Sequence, residues 1–142
     1  MKNLRIYSCD KKIPKQKIHN FIKFILEDFE LSLNSLELNF IKASKIKEIN
    51  KIYLSHDYST DIITFNYSEN KSVIDGEIFI SVDDAAENAK KYKVKYIEEI
   101  ARLIIHGILH LIGFDDLKSG QRKKMKIQEN RLLKKYKFIL LR

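Results

Sequence analysis

The segment LIIHGILHLI, Leu103 to Ile112, restricts the fold more than any other stretch of the chain. It reads as the second half of one long helix running from about Tyr96 to Ile112. The apolar run from Leu103 to Phe114 is too short to span a bilayer, so this helix belongs in a globular core with other elements packed around it. His106 and His110 interrupt the run, and an unpaired imidazole is costly to bury. The fold therefore has to cover the helix while giving both rings a polar partner.

The rest of the chain alternates between strand and helix patterns. Leu4 to Ser8 alternates like a short strand, and Pro14 opens an amphipathic helix with Ile18, Phe21, Ile22, Ile25 and Phe29 at helical spacing. Leu36 to Ile41 alternates again, and Ser44 is the expected cap of a helix to about Leu54 that turns Ile46, Ile49, Ile52 and Tyr53 inward. Asp61 to Tyr67 and Glu77 to Val82 are rich in β-branched and aromatic residues and read as strands. Ser81, Asp83 or Asp84 caps the next helix, the long apolar helix follows, and Gly113 ends it. A last helix begins near Ser119 with Met125, Leu132, Leu133, Tyr136 and Leu140 as its apolar stripe. The order β-α-β-α-β-β-α-α-α implies an α+β fold: a small mixed four-stranded sheet covered by about five helices. With no repeat, low-complexity tract or Pro/Gly/Ser linker, residues 1–142 are expected to form one domain.

Charge is unevenly placed. The chain carries a net charge of +8, and from residue 118 onward ten basic residues face one acid, Glu129. Such a segment attracts polyanions, RNA above all, through counterion release; a solvated helix face accounts for it equally well. Cys9 has no partner for an intramolecular disulfide and is expected to be a small buried hydrophobe in a reducing cytosol. The start of the chain lacks a long apolar core, so neither export nor membrane insertion is expected, and a cytoplasmic protein without a membrane partner is.

The chemistry concentrates in HGILHLIGFDD. His106 and His110 are four residues apart, so their rings project from one helix face one turn apart, as two imidazoles on one metal require. Gly113 lets the helix reverse through a left-handed residue. Asp116 follows three residues later, where its carboxylate completes a facial set of three ligands at the end of the central helix and leaves a fourth position for water. The competing reading is a pair of structural histidines hydrogen-bonded in place. Asp115 is the candidate for orienting a ligand histidine or receiving a proton, or for capping the last helix. His19 and His56 are expected at the surface. The spacing is similar to the HExxHxxGxxH helix of metallopeptidases, but Gly107 stands where those enzymes carry their glutamate base, which disfavours peptide hydrolysis.

The segment resembles more closely the signature HGxLHLxGYDH of the YbeY family of bacterial rRNA maturation factors. Upstream, NKIYLSHDYSTDIITF over residues 50–65 is similar to that family's N-x-x-Y-R-x-x-D-x-x-T-D-V-L-S-F, with Asn50, Tyr53, Asp57, Thr60, Asp61 and Phe65 matching. Gly76-Glu77 stands for a Gly-Asp pair ahead of the next strand. The resemblance implies a metal-dependent, single-strand-specific endoribonuclease acting in 16S rRNA 3′-end maturation and ribosome quality control. Its partners would be single-stranded RNA, rRNA and the small ribosomal subunit, and its cofactor one zinc or other divalent ion. Two positions depart from the pattern: Asp116 replaces the third histidine ligand, and Leu54 replaces an arginine thought to face the RNA.

On this reading His106, His110 and Asp116 hold the metal, and Asp61 and Asp115 are the candidate catalytic carboxylates. A zinc-bound water either attacks the phosphodiester or deprotonates a 2′-hydroxyl, and the sequence leaves both routes open. The rival is a non-catalytic ribosome-assembly protein with a structural metal; a metallopeptidase comes third.

Overall fold

Burial alternates along the strands, and that alternation sets which side of the sheet carries the core. The computed structural model describes residues 2–55, 60–115 and 117–141. The elements run β1 (Leu4–Ser8), α1 (Lys15–Asp28), β2 (Ser32–Ile41), α2 (Ala43–Leu54), β3 (Ile62–Asn66), β4 (Val73–Ser81), α3 (Val82–Tyr92), α4 (Tyr96–Leu111), α5 (Ser119–Tyr136) and α6 (Phe138–Leu141). This is the expected α+β order with one short helix added at the end. The four strands lie in the order β1-β2-β4-β3, with β1, β2 and β4 parallel and β3 antiparallel to β4, so the sheet is mixed.

Both β2 and β4 begin earlier than their side chains suggest. Ser32 pairs with Val73 and Leu33 with Ile74, and the register shifts between Leu33 and Ser35. The added residues include Ser32, Asn34, Ser35 and Asp75, which have weak strand preference, so it is the tertiary pairing that extends the strands. Gly76 accordingly lies inside β4 and not ahead of it.

The buried set Leu4, Ile6, Leu36, Leu38, Phe40, Ile74, Ile78 and Ile80 forms one core with Ile18, Phe21, Ile22 and Ile25 of α1 and the apolar residues of α4. At Gly107, an added Cβ would stand 2.9 Å from Ile78 Cδ1 and 3.1 Å from Ile62 Cδ1. The missing side chain is what lets α4 lie close against β3 and β4. At the other end of α4, Gly113 takes φ +103°, with its N–H donated to the His110 carbonyl (3.1 Å) and that of Phe114 to the Leu109 carbonyl (3.0 Å). The helix therefore ends in a Schellman turn.

Three expectations need correction. The inward stripe of α2 is Ile46, Ile49 and Asn50, whereas Ile52 and Tyr53 are 63% and 68% exposed. Ile52 lies off that stripe, and Tyr53 meets Phe65 edge-on at 5.9 Å with most of its ring uncovered. Ser44 does not cap α2; Lys42 occupies the cap position, and the Ala43 N–H is donated to Asp83 Oδ2 at 2.8 Å. Cys9 is exposed, directly after β1. Ser81 caps α3 as expected, accepting the Asp84 N–H at 3.2 Å.

The last two helices close over α1. Asp28, whose side chain is 7% exposed, accepts hydrogen bonds from Arg131 Nη2 (2.8 Å), Arg131 Nη1 (3.2 Å), Lys135 Nζ (3.2 Å) and the Tyr136 hydroxyl (2.6 Å). The Arg131 bonds hold the Asp28 carboxyl well below the usual carboxylate range, with Tyr136 and Lys135 assisting against the opposing effect of burial.

Candidate metal centre

From Glu99 to Leu111, every residue of α4 is buried except Arg102, His106 and His110. Their spacing of four residues makes them one polar stripe along an otherwise enclosed helix. His106 and His110 converge: their Nε2 atoms are 3.2 Å apart, with ring centroids at 4.7 Å and planes inclined at 75°. Two imidazole nitrogens on a tetrahedral zinc, with Zn–N of about 2.0–2.1 Å, stand about 3.3–3.4 Å apart. The pair fits that separation, which is equally that of a direct N–H···N hydrogen bond between the two rings.

The far nitrogen of His106 meets Glu129 of α5, with Nδ1 and Oε2 2.6 Å apart. Glu129 is 3% exposed and shares the buried side of α5 with Met125, Leu132 and Tyr136. Burial raises its carboxyl pKa, but the bond and charge of His106 and the cations Arg102 and Lys126 outweigh that, and it lies below its ordinary value. An ionised carboxylate can only accept, so a proton of His106 stands on Nδ1, facing Glu129, and Nε2 is the ring nitrogen turned toward His110.

A second set of contacts runs behind this one. Arg102 Nη1 reaches Glu129 Oε1 at 3.4 Å, and the same guanidinium grips Glu99 through Nε–Oε1 (2.8 Å) and Nη2–Oε2 (2.7 Å). The Glu99 bonds, acting against burial, raise the Arg102 pKa, so the cation is permanent. Glu99, 2% exposed, also accepts from Asn88 Nδ2 at 3.1 Å, and that amide reaches Asp61 Oδ2 at 3.3 Å.

Of the residues expected at the site, the structure brings His106 and His110 together, while Asp116, like His56 and Asp57, lies outside the described residues. Among the described residues, no group of three or more His, Cys, Asp or Glu side chains is placed to hold a metal ion. Asp115 accepts the Leu117 N–H at 2.8 Å in an Asx turn and borders a cleft of about 220 Å³ with Gly113, Phe114, Gln121 and Lys124. Asp61 meets Asn88, as above. Asn50, Leu54 and Thr60 of the upstream motif line a shallow pocket of about 260 Å³ with Ile62 and Thr64. His19 is half-buried on α1.

Glu129, Arg102, Glu99 and Asn88 were not expected at the site. Two of them left a trace in the sequence. Arg102 extends the four-residue spacing of the histidines backward by one turn, and Glu129 is an acid set among the apolar positions of an otherwise basic helix. On α5, Lys123, Lys124 and Lys134 are exposed, whereas Lys126 and Lys135 reach back to Glu129 (3.9 Å) and Asp28 (3.2 Å).

Comparison with known proteins gives the chain a family. The family model described as endoribonuclease YbeY matches residues 3–137. A Parabacteroides distasonis protein named endoribonuclease YbeY is 42% identical over 130 residues, covering 89% of this chain and 91% of that protein. Its namesake in Azobacteroides pseudotrichonymphae is 44% identical over 131 residues, covering 90% and 94%, and the one in Chlorobium phaeobacteroides is 37% identical over 134 residues, covering 94% of each. The solution structure of a Thermotoga maritima protein, 24% identical, superposes with a TM-score of 0.69 over 92% of this chain and 86% of that one, which is a likeness of fold. By model and by relatives alike, the chain belongs to the endoribonuclease YbeY family.

Proposed function

We propose that this protein is a metal-dependent endoribonuclease that cleaves single-stranded RNA in 16S rRNA 3′-end maturation and ribosome quality control, working in the cytoplasm on the small ribosomal subunit. One zinc or other divalent ion is held by His106, His110 and Asp116. The observation that carries this reading is the pair of Nε2 atoms 3.2 Å apart, one of them backed by a buried carboxylate on Nδ1. Family membership supports the ribonuclease assignment.

When bound, the ion supplies a Lewis acid for phosphate oxygens and polarises water. The chain's own residues do the rest. Glu129 keeps the His106 proton on Nδ1, so that Nε2 faces the site as a donor atom. Gly113, at φ +103°, ends α4 and turns the chain into the segment that holds Asp115. Asp115, its Oδ1 steadied by the Leu117 N–H, is the carboxylate we assign to take up a proton. Lys123, Lys124 and Lys134 offer exposed positive charge to phosphates.

The second reading, a ribosome-assembly protein whose metal is structural, is favoured by one observation: apolar Leu54, 41% exposed, lines the pocket of Asn50 and Thr60 where the family pattern has arginine. A peptidase is disfavoured because position 107 faces Ile62 and Ile78, so a general base there would point into the sheet. Metal analysis of the purified protein and cleavage of single-stranded RNA, with and without chelator, separate these readings. Cleavage abolished by chelator supports the nuclease, bound metal without turnover overturns it in favour of the assembly protein, and peptide turnover overturns both.

A further inference from the structure

The two sequence motifs of this chain, one around Asp61 and one around His106, are joined inside the protein by an unbroken line of polar contacts. Asp61 Oδ2 and Asn88 Nδ2 are 3.3 Å apart, Asn88 Nδ2 and Glu99 Oε2 3.1 Å, Glu99 and Arg102 2.7 and 2.8 Å, Arg102 and Glu129 3.4 Å, and Glu129 and His106 2.6 Å. We propose that Arg102 is a positioning residue. Gripped on one side by Glu99, it fixes the Glu129 carboxylate in the orientation that holds the His106 ring, and Asn88 and Asp61 brace Glu99 from behind. This rests on the reading of His106 as a metal ligand.

Three features give Arg102 this role beyond filling space. Its guanidinium is bidentate to Glu99, so the fork is held in one plane and its remaining Nη1 has a fixed direction, toward Glu129 Oε1. Glu129 presents its other oxygen, Oε2, to His106, so a turn of the carboxylate about its own axis displaces the histidine contact. The two carboxylates that share the cation are 2% and 3% exposed, and a carboxylate at that depth needs a partner. Arg102 reaches the histidine pair through Glu129. Asp61, a matching position of the upstream motif, thereby gains a mechanical reason for its place: it holds the Asn88 amide, which holds Glu99.

The test compares the parent protein with Arg102→Met, Arg102→Lys and Asn88→Ala, all as full-length chains. Long-range ¹⁵N spectra of the metal-free protein report which ring nitrogen of His106 carries the proton, and a Co²⁺ titration followed by its visible absorption bands reports affinity. The parent should show His106 protonated on Nδ1. Arg102→Met should divide the proton between Nδ1 and Nε2 and weaken Co²⁺ binding about 10–100-fold. Arg102→Lys should recover part of both, and Asn88→Ala should move both in the direction of Arg102→Met by less. A folded Arg102→Met protein with the parent's tautomer and Co²⁺ affinity overturns the proposal. Should Arg102→Met fail to fold, Asn88→Ala decides, since Asn88 is only half-buried and outside the cation–carboxylate cluster: unchanged tautomer and affinity overturn the brace. If the parent takes up no Co²⁺, the metal reading fails by itself, and the tautomer comparison still decides for or against Arg102.

Discussion

Glu129 lies 23 residues beyond His106 in sequence and 2.6 Å from it in space. The contact pins α5 across α4 at the point where α4 exposes its two histidines, so the helix that completes the core also sets the ring of one candidate ligand. A glutamate this far inside a helix with ten basic neighbours in its segment is explained by what it touches.

Glu129→Gln keeps the shape of the side chain but replaces an obligate acceptor by an amide that can accept or donate. His106 then loses its single preferred tautomer. We expect zinc affinity and RNA cleavage to fall about 10–100-fold while the fold is retained. Calorimetric titration with zinc and circular dichroism check this, and parent-like zinc affinity would contradict the role given to Glu129.

Asp28 makes stability depend on acid pH. Its folded-state pKa is depressed, first by the Arg131 hydrogen bonds and then by Tyr136 and Lys135, so its contribution is fully present above the unfolded carboxylate pKa of about 3.9. That contribution is lost as pH falls from there toward the folded value. Asp28→Asn should therefore lower stability by about 1–2 kcal/mol at pH 7, discounted because Arg131 and Lys135 are partly exposed, and by less at pH 3. Urea unfolding of both proteins at the two pH values measures the difference, and an equal loss at both would show that the Asp28 charge is not what matters.

Gly107→Ala sets two effects against each other. Alanine favours the helix by about 1 kcal/mol, but its methyl would press on Ile78 and Ile62 at a cost of about 1–3 kcal/mol. The balance should be a loss of about 1 kcal/mol. Ile78→Val removes the atom at 2.9 Å, so the double variant should be less destabilised than the sum of the two single ones. Strict additivity would place the strain elsewhere.

Lys123→Glu with Lys124→Glu should weaken single-stranded RNA binding and reduce its salt slope by about 1.4, as two lost phosphate contacts require. Lys135→Glu should act differently, costing stability because Lys135 is bonded to Asp28. Binding measured across a salt series, alongside thermal melts, separates the two. An unchanged slope in the first variant would leave those lysines as solubilising charge.

The element order, the central helix and the convergence of His106 with His110 were legible because each rests on a local period: alternation for strands, four-residue spacing for the histidine face, a glycine for the turn. What could not be read is non-local. The first residues of β2 and β4 are strands because they pair with each other, Asp83 rather than Ser44 serves α2, and Glu99 and Asn88 matter only because α3 and α4 lie side by side. Tyr53 is exposed because it stands near the end of α2, where spacing alone extends a buried face too far, and Cys9 because it lies just past the end of β1.

The bond from Ala43 N–H to Asp83 Oδ2 spans 40 residues and joins the opening turn of α2 to the opening turn of α3. The opening turn of α2 therefore takes one of its end contacts from α3, through a side chain that is itself about half exposed. Asp83→Ala should thus speed amide exchange at Ala43, and α2 should unravel first from its Ser55 end, where its closing contact is the local Ser55 N–H to the Asn50 carbonyl.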